Sequence, residues 1–102
     1  MYRLQYLPSA VQDIKDIILY ISTELNNPDA ASRLAMEFHN AEERIIAFPY
    51  ANPQYLPLRP LKHEYRKLLI RNYIMIYWVN EAEQEIVISR VVYKRRNRLR
   101  NI

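Results

Sequence analysis

The sequence feature that most constrains the fold is the run Tyr73–Val79, which reads Tyr-Ile-Met-Ile-Tyr-Trp-Val and is almost wholly apolar. A strand with one face in water alternates apolar and polar side chains, whereas a strand that is apolar throughout is buried on both faces. We therefore predict that Tyr73–Val79 is the central strand of a sheet and that other parts of the chain cover both of its faces.

Two further strands are predicted next to this central one. Tyr65–Ile70 precedes it across a turn at Arg71-Asn72, in which Asn72 is the residue suited to the left-handed conformation. Ile86–Tyr93 follows it after the polar turn formed by residues 80–85. A fourth, short strand is predicted at the N-terminus over Tyr2–Leu7, which stops before Pro8.

The first helix is predicted over residues 9–25. Ser9 has the side chain of an N-cap residue, and Gln12 stands where it completes a capping box. Apolar residues then recur at spacings of three and four, which places them on one face of a helix. These residues are Val11, Ile14, Ile17, Ile18, Ile21 and Leu25.

A second helix is predicted to start after Asn27 and to end near Phe48. Asn27 is a good N-cap residue, and Pro28 suits the first helical position because its missing N–H needs no partner there. Pro49 disfavours helical geometry in the residue before it, which sets the end. The link between the helices is so short that they are expected to form an antiparallel hairpin.

The predicted order is therefore strand, helix, helix, strand, strand, strand. Helices followed by strands indicate an α+β fold, with the helix hairpin on one face of a mainly antiparallel sheet. The length of 102 residues fits a single domain covering residues 1–102. Residues 49–63 contain four prolines and are predicted as an irregular connection from the helices to the sheet.

Composition excludes several kinds of site. The chain has no cysteine, which rules out disulfides and thiolate chemistry, and no glycine, which rules out a glycine-rich phosphate loop. His39 and His63 are too few and too far apart to indicate a metal site, so we predict neither metal nor cofactor. No apolar run has the length of a signal peptide core or a membrane span, so a cytoplasmic protein that does not enter the membrane is expected.

Positive charge is concentrated in the second half of the chain. Residues 1–58 carry four cations and seven acids, whereas residues 59–102 carry eleven cations and four acids. The last strand leads directly into this charge, because six cations and no acid lie between Arg90 and Arg100. The pattern favours a polyanion or an acidic protein as the partner.

The predicted meander brings the end of its third strand close to the first turn. Five residues are then expected to form one basic patch: Arg71, Tyr93, Lys94, Arg95 and Arg96. Arginines beside an exposed tyrosine suit RNA, and they suit the acidic surface of a protein equally well. The side chains expected to bind the partner are Lys67, Arg71, Arg90, Lys94 and Arg96.

Several of these segments, taken together, are similar to a known family. They are the opening Pro8-Ser9-Ala10, the strands Tyr65–Ile70 and Asn72–Tyr77, and the ending Ile88–Asn97. In this order and spacing the chain resembles the RelE/ParE superfamily of bacterial toxins from type II toxin–antitoxin modules. The resemblance covers nearly the whole length.

The resemblance implies one of two activities. RelE-like members cut mRNA on the ribosome by helping a ribose 2′-OH attack the neighbouring phosphate, whereas ParE-like members share the fold and act on DNA gyrase. Both are neutralised by an acidic antitoxin that wraps the toxin, so an antitoxin partner is implied, with a homodimer or a heterotetramer with the antitoxin as compatible assemblies.

One departure from the nuclease branch favours the ParE-like activity. The arginine that RelE-like nucleases place in the central strand falls at Ile74 here. Tyr93, Arg95 and Arg66 match functional positions and would be catalytic in an mRNA endoribonuclease. Because Ile74 is apolar, a ParE-like inhibitor of DNA gyrase is expected first, a RelE-like ribosome-dependent endoribonuclease second, and a non-catalytic basic domain that binds nucleic acid or protein third.

Overall fold

One four-stranded sheet and two helices form the part of the chain that the computed structural model describes, residues 1–55 and 62–96. The strands are β1 Arg3–Tyr6, β2 Tyr65–Ile70, β3 Tyr73–Asn80 and β4 Glu85–Tyr93. The helices are α1 Pro8–Leu19, continued by a π-helical turn over Tyr20–Glu24, and α2 Pro28–Ala47. A 3-10 turn, Lys94–Arg96, follows β4.

The strands lie in the order β1-β4-β3-β2. β2, β3 and β4 form an antiparallel meander, and β1 pairs in parallel with the first half of β4. The parallel pair needs a crossover between its strands, and the crossover contains the helix hairpin, which packs on one face of the sheet. The α+β fold predicted from the sequence is confirmed, and so is its mainly antiparallel sheet.

β3 is covered on both faces, as its apolar sequence predicted. Met75 and Tyr77 point to the helix side, where they pack with Phe38 and Ile45 of α2. Four residues form a smaller apolar cluster on the other side of the sheet: Tyr55, Tyr65, Ile74 and Ile76. Within β3, Ile74 to Tyr77 are each at most 5% exposed.

The boundaries of α2 agree with the predicted ones. Asn27 caps the helix, because its side-chain oxygen accepts a hydrogen bond of 3.1 Å from the Ala30 N–H. Pro28 is the first helical residue, and the helix ends at Ala47. The buried face is formed by Ala31, Leu34, Phe38, Ala41 and Ile45.

The predicted N-cap of α1 is wrong, although the helix starts within one residue of the predicted position. The helix begins at Pro8, with Leu7 in the N-cap position and no side-chain cap. The Ser9 hydroxyl donates instead to the Ser89 carbonyl, 2.7 Å away on β4. Pro8 fixes a helical φ by itself and has no N–H to satisfy, so the serine is available for the sheet.

The end of the first helix also differs from the predicted one. The regular α-helix stops at Leu19, and the segment up to Glu24 is a wider π-helical turn. Thr23 stabilises this turn, because its hydroxyl donates to the Leu19 carbonyl at 2.6 Å. Asn26 then takes a positive φ of 47° and redirects the chain into α2.

The turn between β2 and β3 uses a different residue from the one predicted. Arg71, not Asn72, has the positive φ of 53°. The Asn72 carbonyl accepts the N–H of Lys94 at 2.6 Å, a bond that ties this turn to the end of β4. In a chain without glycine, an ordinary residue must take the left-handed conformation here.

We expect Tyr77→Phe to destabilise the fold by about 1 to 3 kcal/mol. The buried Tyr77 hydroxyl donates to the Pro49 carbonyl at 2.6 Å and accepts from the Asn52 amide at 3.0 Å. Removing it leaves both groups without this partner. Urea unfolding followed by circular dichroism measures the difference.

Tyr20→Phe is the matched control for this prediction, because the exposed Tyr20 hydroxyl forms no hydrogen bond within the described residues. Its unfolding midpoint should stay at the wild-type value. A midpoint of Tyr77→Phe equal to that of Tyr20→Phe would show that the Tyr77 hydroxyl does not hold the connection after α2 in place.

Candidate functional site

The predicted site residues gather mainly at the end of the sheet where β4 finishes. Tyr93 pairs with Tyr73 across the β3–β4 ladder, and Lys94 is bonded to the β2–β3 turn. This neighbourhood agrees with the expected meander. The side chains, however, are divided between the two sides of the sheet, so they form two surfaces instead of one patch.

On the helix side, Tyr93 lines a groove of about 800 Å³ between the helix hairpin and the end of the sheet. We call it the tyrosine groove, because Tyr20, Tyr73 and Tyr93 all line it. Tyr93 stands edge-on to Tyr73, with 5.6 Å between ring centroids. Tyr20 is 54% exposed and Tyr93 36% exposed, so both offer ring surface to a partner.

Two arginines add positive charge to the tyrosine groove. Arg33 of α2 and Arg71 of the β2–β3 turn both line it, and Asp16 is its only acidic lining residue within the described part of the chain. Arg71 is also held by Glu37, with its Nε 2.7 Å from each carboxylate oxygen. The ion pair fixes the direction of Arg71 but offsets part of its charge.

On the opposite side, Lys67 and Lys94 line a depression of about 440 Å³. Leu69, which is 54% exposed, and the buried Ile74 also line this depression. Neither lysine forms an ion pair with a carboxylate of the described residues. Their charges therefore remain available to an anionic partner.

The remaining residues of the predicted patch lie past β4. Arg95 is exposed in the 3-10 turn. The side chain of Arg96 lies outside the described residues, as do residues 97–102.

Arg90 is bound within the molecule. Its guanidinium donates to Asp13 of α1 through Nε at 2.7 Å and through Nη2 at 3.1 Å. The hydrogen bond that Arg90 donates to Asp13 raises the pKa of Arg90 above its ordinary value. The charge of Arg90, which is predicted from the sequence to bind a partner, lies against α1 in the structure.

Arg66 lies at the other end of the sheet from Tyr93. Register places it opposite Tyr77, four residues along the ladder from the Tyr73–Tyr93 pair and two strands away from β4. From strand geometry, the Cα atoms of Arg66 and Tyr93 are roughly 17 Å apart. Its guanidinium donates to the Asn52 carbonyl at 2.8 Å and to Glu64 at 3.1 Å, and the side chain is 15% exposed.

A second cluster of polar side chains surrounds Arg66. A pocket of about 320 Å³ is lined by Tyr50, His63, Glu64, Arg66, Trp78, Val79, Asn80 and Glu81. The His63 ring stacks on Trp78 with 3.7 Å between centroids, and burial, together with the charge of Lys62, lowers the pKa of His63. The sequence indicates no connection between His63 and either Tyr50 or Glu81, which the fold brings together in this pocket.

The carboxylates of this pocket make it a poor phosphate site. Glu81 accepts hydrogen bonds from the hydroxyls of Tyr2 and Tyr50, and Glu64 is bonded to Arg66. The two bonds to Glu81 hold Tyr2 and Tyr50 against the β3–β4 turn. Within residues 1–55 and 62–96, no group of three or more His, Cys, Asp or Glu side chains is arranged to hold a metal ion.

Comparison with protein families gives a match over residues 4–98 to the ParE toxin of the type II toxin–antitoxin system parDE. The chain therefore belongs to the ParE toxin family and, with it, to the RelE/ParE superfamily of toxins. A comparison with curated protein sequences gives no significant match.

In the described part of the chain, no helix is both long and apolar enough to cross a membrane.

Solved structures of toxin–antitoxin proteins share the fold. The chromosomal ParDE system of Pseudomonas aeruginosa matches with a TM-score of 0.68 and 18% identity, over 91% of this chain and 96% of that one. The RelBE2 complex of Mycobacterium tuberculosis matches with a TM-score of 0.60 and 18% identity, over 90% and 96%. The isolated RelE toxin of E. coli matches with a TM-score of 0.57 and 14% identity, over 91% and 84%.

We expect the Tyr50 hydroxyl to titrate at about 12, because its hydrogen bond to Glu81 raises the pKa of Tyr50. The bond favours the neutral form in the folded state, so its contribution to stability is complete below the ordinary tyrosine pKa of 10.0 and is lost as the pH rises toward about 12. The difference in tyrosinate absorbance between the wild type and Tyr50→Phe isolates this step.

Glu81→Gln tests the cause of the shift. Replacing the carboxylate with an amide should lower the pKa of Tyr50 toward the ordinary value. A Tyr50 step that is already at the ordinary value in the wild type would contradict the hydrogen bond to Glu81.

Proposed function

We propose that the chain is the toxin of a ParE-type module, that it inhibits DNA gyrase, and that an acidic antitoxin neutralises it. The observation that carries the proposal is the separation of the residues that would have to cooperate in RNA cleavage. Tyr93 is on the helix side of the sheet, Ile74 is on the opposite side, and Arg66 is at the far end.

Phosphodiester cleavage by a 2′-OH needs a base, an acid and cations around one phosphate, all within hydrogen-bonding distance of the reacting atoms. The Cα atoms of Arg66 and Tyr93 are roughly 17 Å apart by strand geometry, and loop carbonyls and Glu64 already hold the Arg66 guanidinium. The position that would place a cation in the central strand is Ile74, which is 5% exposed in an apolar cluster. These features support binding to a protein target over cleavage of RNA.

The end of the sheet offers the surfaces that a protein target needs. The tyrosine groove supplies aromatic area on one side, and Lys67 and Lys94 supply charge on the other. Arg95 extends this charge beyond the sheet. Aromatic rings and arginines are the side chains that most often dominate binding energy at protein interfaces.

The tyrosine groove also suits an acidic antitoxin. Its apolar side chains include Leu25, 55% exposed, and Arg33 and Arg71 line the same groove. The apolar side chains of an antitoxin segment would cover those of the groove, and its acidic side chains would neutralise the two arginines. Antitoxin bound here would cover Tyr93 and so block the proposed contact with gyrase.

We expect the purified protein to convert gyrase and plasmid DNA into cleaved complexes and to leave mRNA intact on ribosomes. Replacing both Arg95 and Arg96 with alanine should reduce the cleaved complexes about tenfold while changing the free energy of unfolding by less than about 0.5 kcal/mol. Agarose gels of the plasmid, and primer extension on ribosome-bound mRNA, measure the two activities.

Exposed cations away from this end serve as the control. Lys15→Ala with Arg44→Ala removes two charges from the helices and should leave the gyrase activity unchanged. Cleavage of mRNA that depends on ribosomes would establish the RelE-like activity instead. A protein with neither activity, harmless when produced without its antitoxin, would fit the non-catalytic binding domain.

A charge reversal in the tyrosine groove should weaken the antitoxin complex. We expect Arg33→Glu to raise the dissociation constant of the complex with the proposed acidic antitoxin by about tenfold or more, because a like charge would face it. Isothermal titration calorimetry measures the change, and the same titration gives the ratio of toxin to antitoxin in the assembly.

Met36→Glu is the control for this experiment, because Met36 is 67% exposed on α2 and does not line the groove. It should bind the antitoxin as the wild type does. Equal affinities for the wild type and Arg33→Glu would place the antitoxin on another surface.

A further inference from the structure

Asp13 forms an unusual contact between α1 and the second half of β4. One carboxylate oxygen accepts hydrogen bonds from Arg90 Nε at 2.7 Å and from the Val91 N–H at 2.9 Å. The other accepts from Arg90 Nη2 at 3.1 Å. The carboxylate is therefore bound to a side chain and to the backbone of the same strand. The Asp13 side chain is 16% exposed, and hydrogen bonds to a charged group are strong where little water competes for them.

The contact lies where β4 changes register. Tyr77 pairs with Ile88 and Ile76 pairs with Arg90, so Ser89 is an extra residue in the ladder, a β-bulge. β1 also stops there, because its last pairing is Tyr6 with Ile88. From this point α1 replaces β1 as the neighbour of β4.

Two side chains of α1 satisfy the backbone groups of the bulge. Ser9 donates to the Ser89 carbonyl, and Asp13 accepts the Val91 N–H. The local sequence does not favour a bulge, since there is no glycine and the β-branched Val91 and Val92 prefer a regular strand. The helix therefore supplies hydrogen bonds to the bulge that the strand itself does not.

The bulge determines which side of the sheet each following residue faces. Ile88 and Val91 both pack into the core under the helices, although regular alternation would send them to opposite sides. Val92 packs with Ile74 and Ile76 on the other side. Tyr93 consequently enters the tyrosine groove beside Tyr73, and Lys94 lines the depression with Lys67.

We infer that Asp13 is a positioning residue for the functional end of the chain: by holding the bulge at Ser89, it places Tyr93 in the tyrosine groove and Lys94 on the opposite side. The functional part of this inference rests on the proposed action on gyrase. Its structural part, the dependence of the register on Asp13, does not.

The test compares Asp13→Ala and Asp13→Asn with the wild type in two measurements. Nuclear magnetic resonance reports the hydrogen exchange of the Val91 amide and the nuclear Overhauser contact between the Tyr73 and Tyr93 rings. Gyrase assays report the cleaved complexes formed at a temperature at which circular dichroism shows each variant folded. Glu43→Ala, which removes a 71% exposed helical carboxylate, is the control.

In Asp13→Ala we expect fast exchange at Val91, loss of the Tyr73–Tyr93 contact and a loss of gyrase activity of about tenfold to a hundredfold, as for a displaced contact residue. Asp13→Asn should fall between alanine and the wild type, because its amide oxygen still accepts the Val91 N–H but no longer pairs with a charged guanidinium. This graded response keeps the test decisive even if Asp13→Ala fails to fold.

Other outcomes would overturn the inference. Retention of the Val91 protection and the Tyr73–Tyr93 contact in both variants would show that the bulge does not need Asp13. Loss of that contact with undiminished gyrase activity would show that the position of Tyr93 does not serve the function. If the wild type itself forms no cleaved complexes, the proposed function fails, and the resonance measurements still decide the structural part.

Discussion

The burial of β3 on both faces is the constraint on which the other features of this protein depend. The helix hairpin covers one face, and Tyr55 and Tyr65 cover much of the other. The connection after α2 brings Tyr55 to this face by running along the outer edge of β2. There the Tyr55 N–H donates to the Tyr65 carbonyl, and the Lys67 N–H donates to the Pro53 carbonyl. Arg66 is fixed in the process, because its guanidinium holds the same connection.

The segments that cover the sheet also pair with some of its cations, and this pairing determines which cations remain available to a partner. The second half of the chain has eleven cations, and three of the arginines on its strands and turns have partners inside the molecule: Arg66 with Glu64, Arg71 with Glu37 and Arg90 with Asp13. Lys67 and Lys94 have no ion pair within the described residues. A net charge counted from composition thus overstates the field at any one surface.

Some features fixed by nearby residues could be predicted from the sequence, whereas the π-helical turn after α1 and the features fixed by distant residues could not. The Asn27 cap and the strand Tyr65–Ile70 follow from local pattern, and the structure has them where they were predicted. Ser9 was assigned to the wrong partner because its acceptor is 80 residues away. The bulge at Ser89 has no local signal, and without it the expected basic patch could not be divided correctly between the two sides of the sheet.

The apolar residue at Ile74 is coupled to the way this face of the sheet is closed. Ile74 belongs to the same cluster as Tyr55, Tyr65 and Ile76, and that cluster packs the end of the connection onto the sheet. An arginine there would place a charge among apolar side chains, which is costly unless a partner or water accompanies it. The isoleucine at this position therefore favours the packing that closes this face of the sheet over a charge within it.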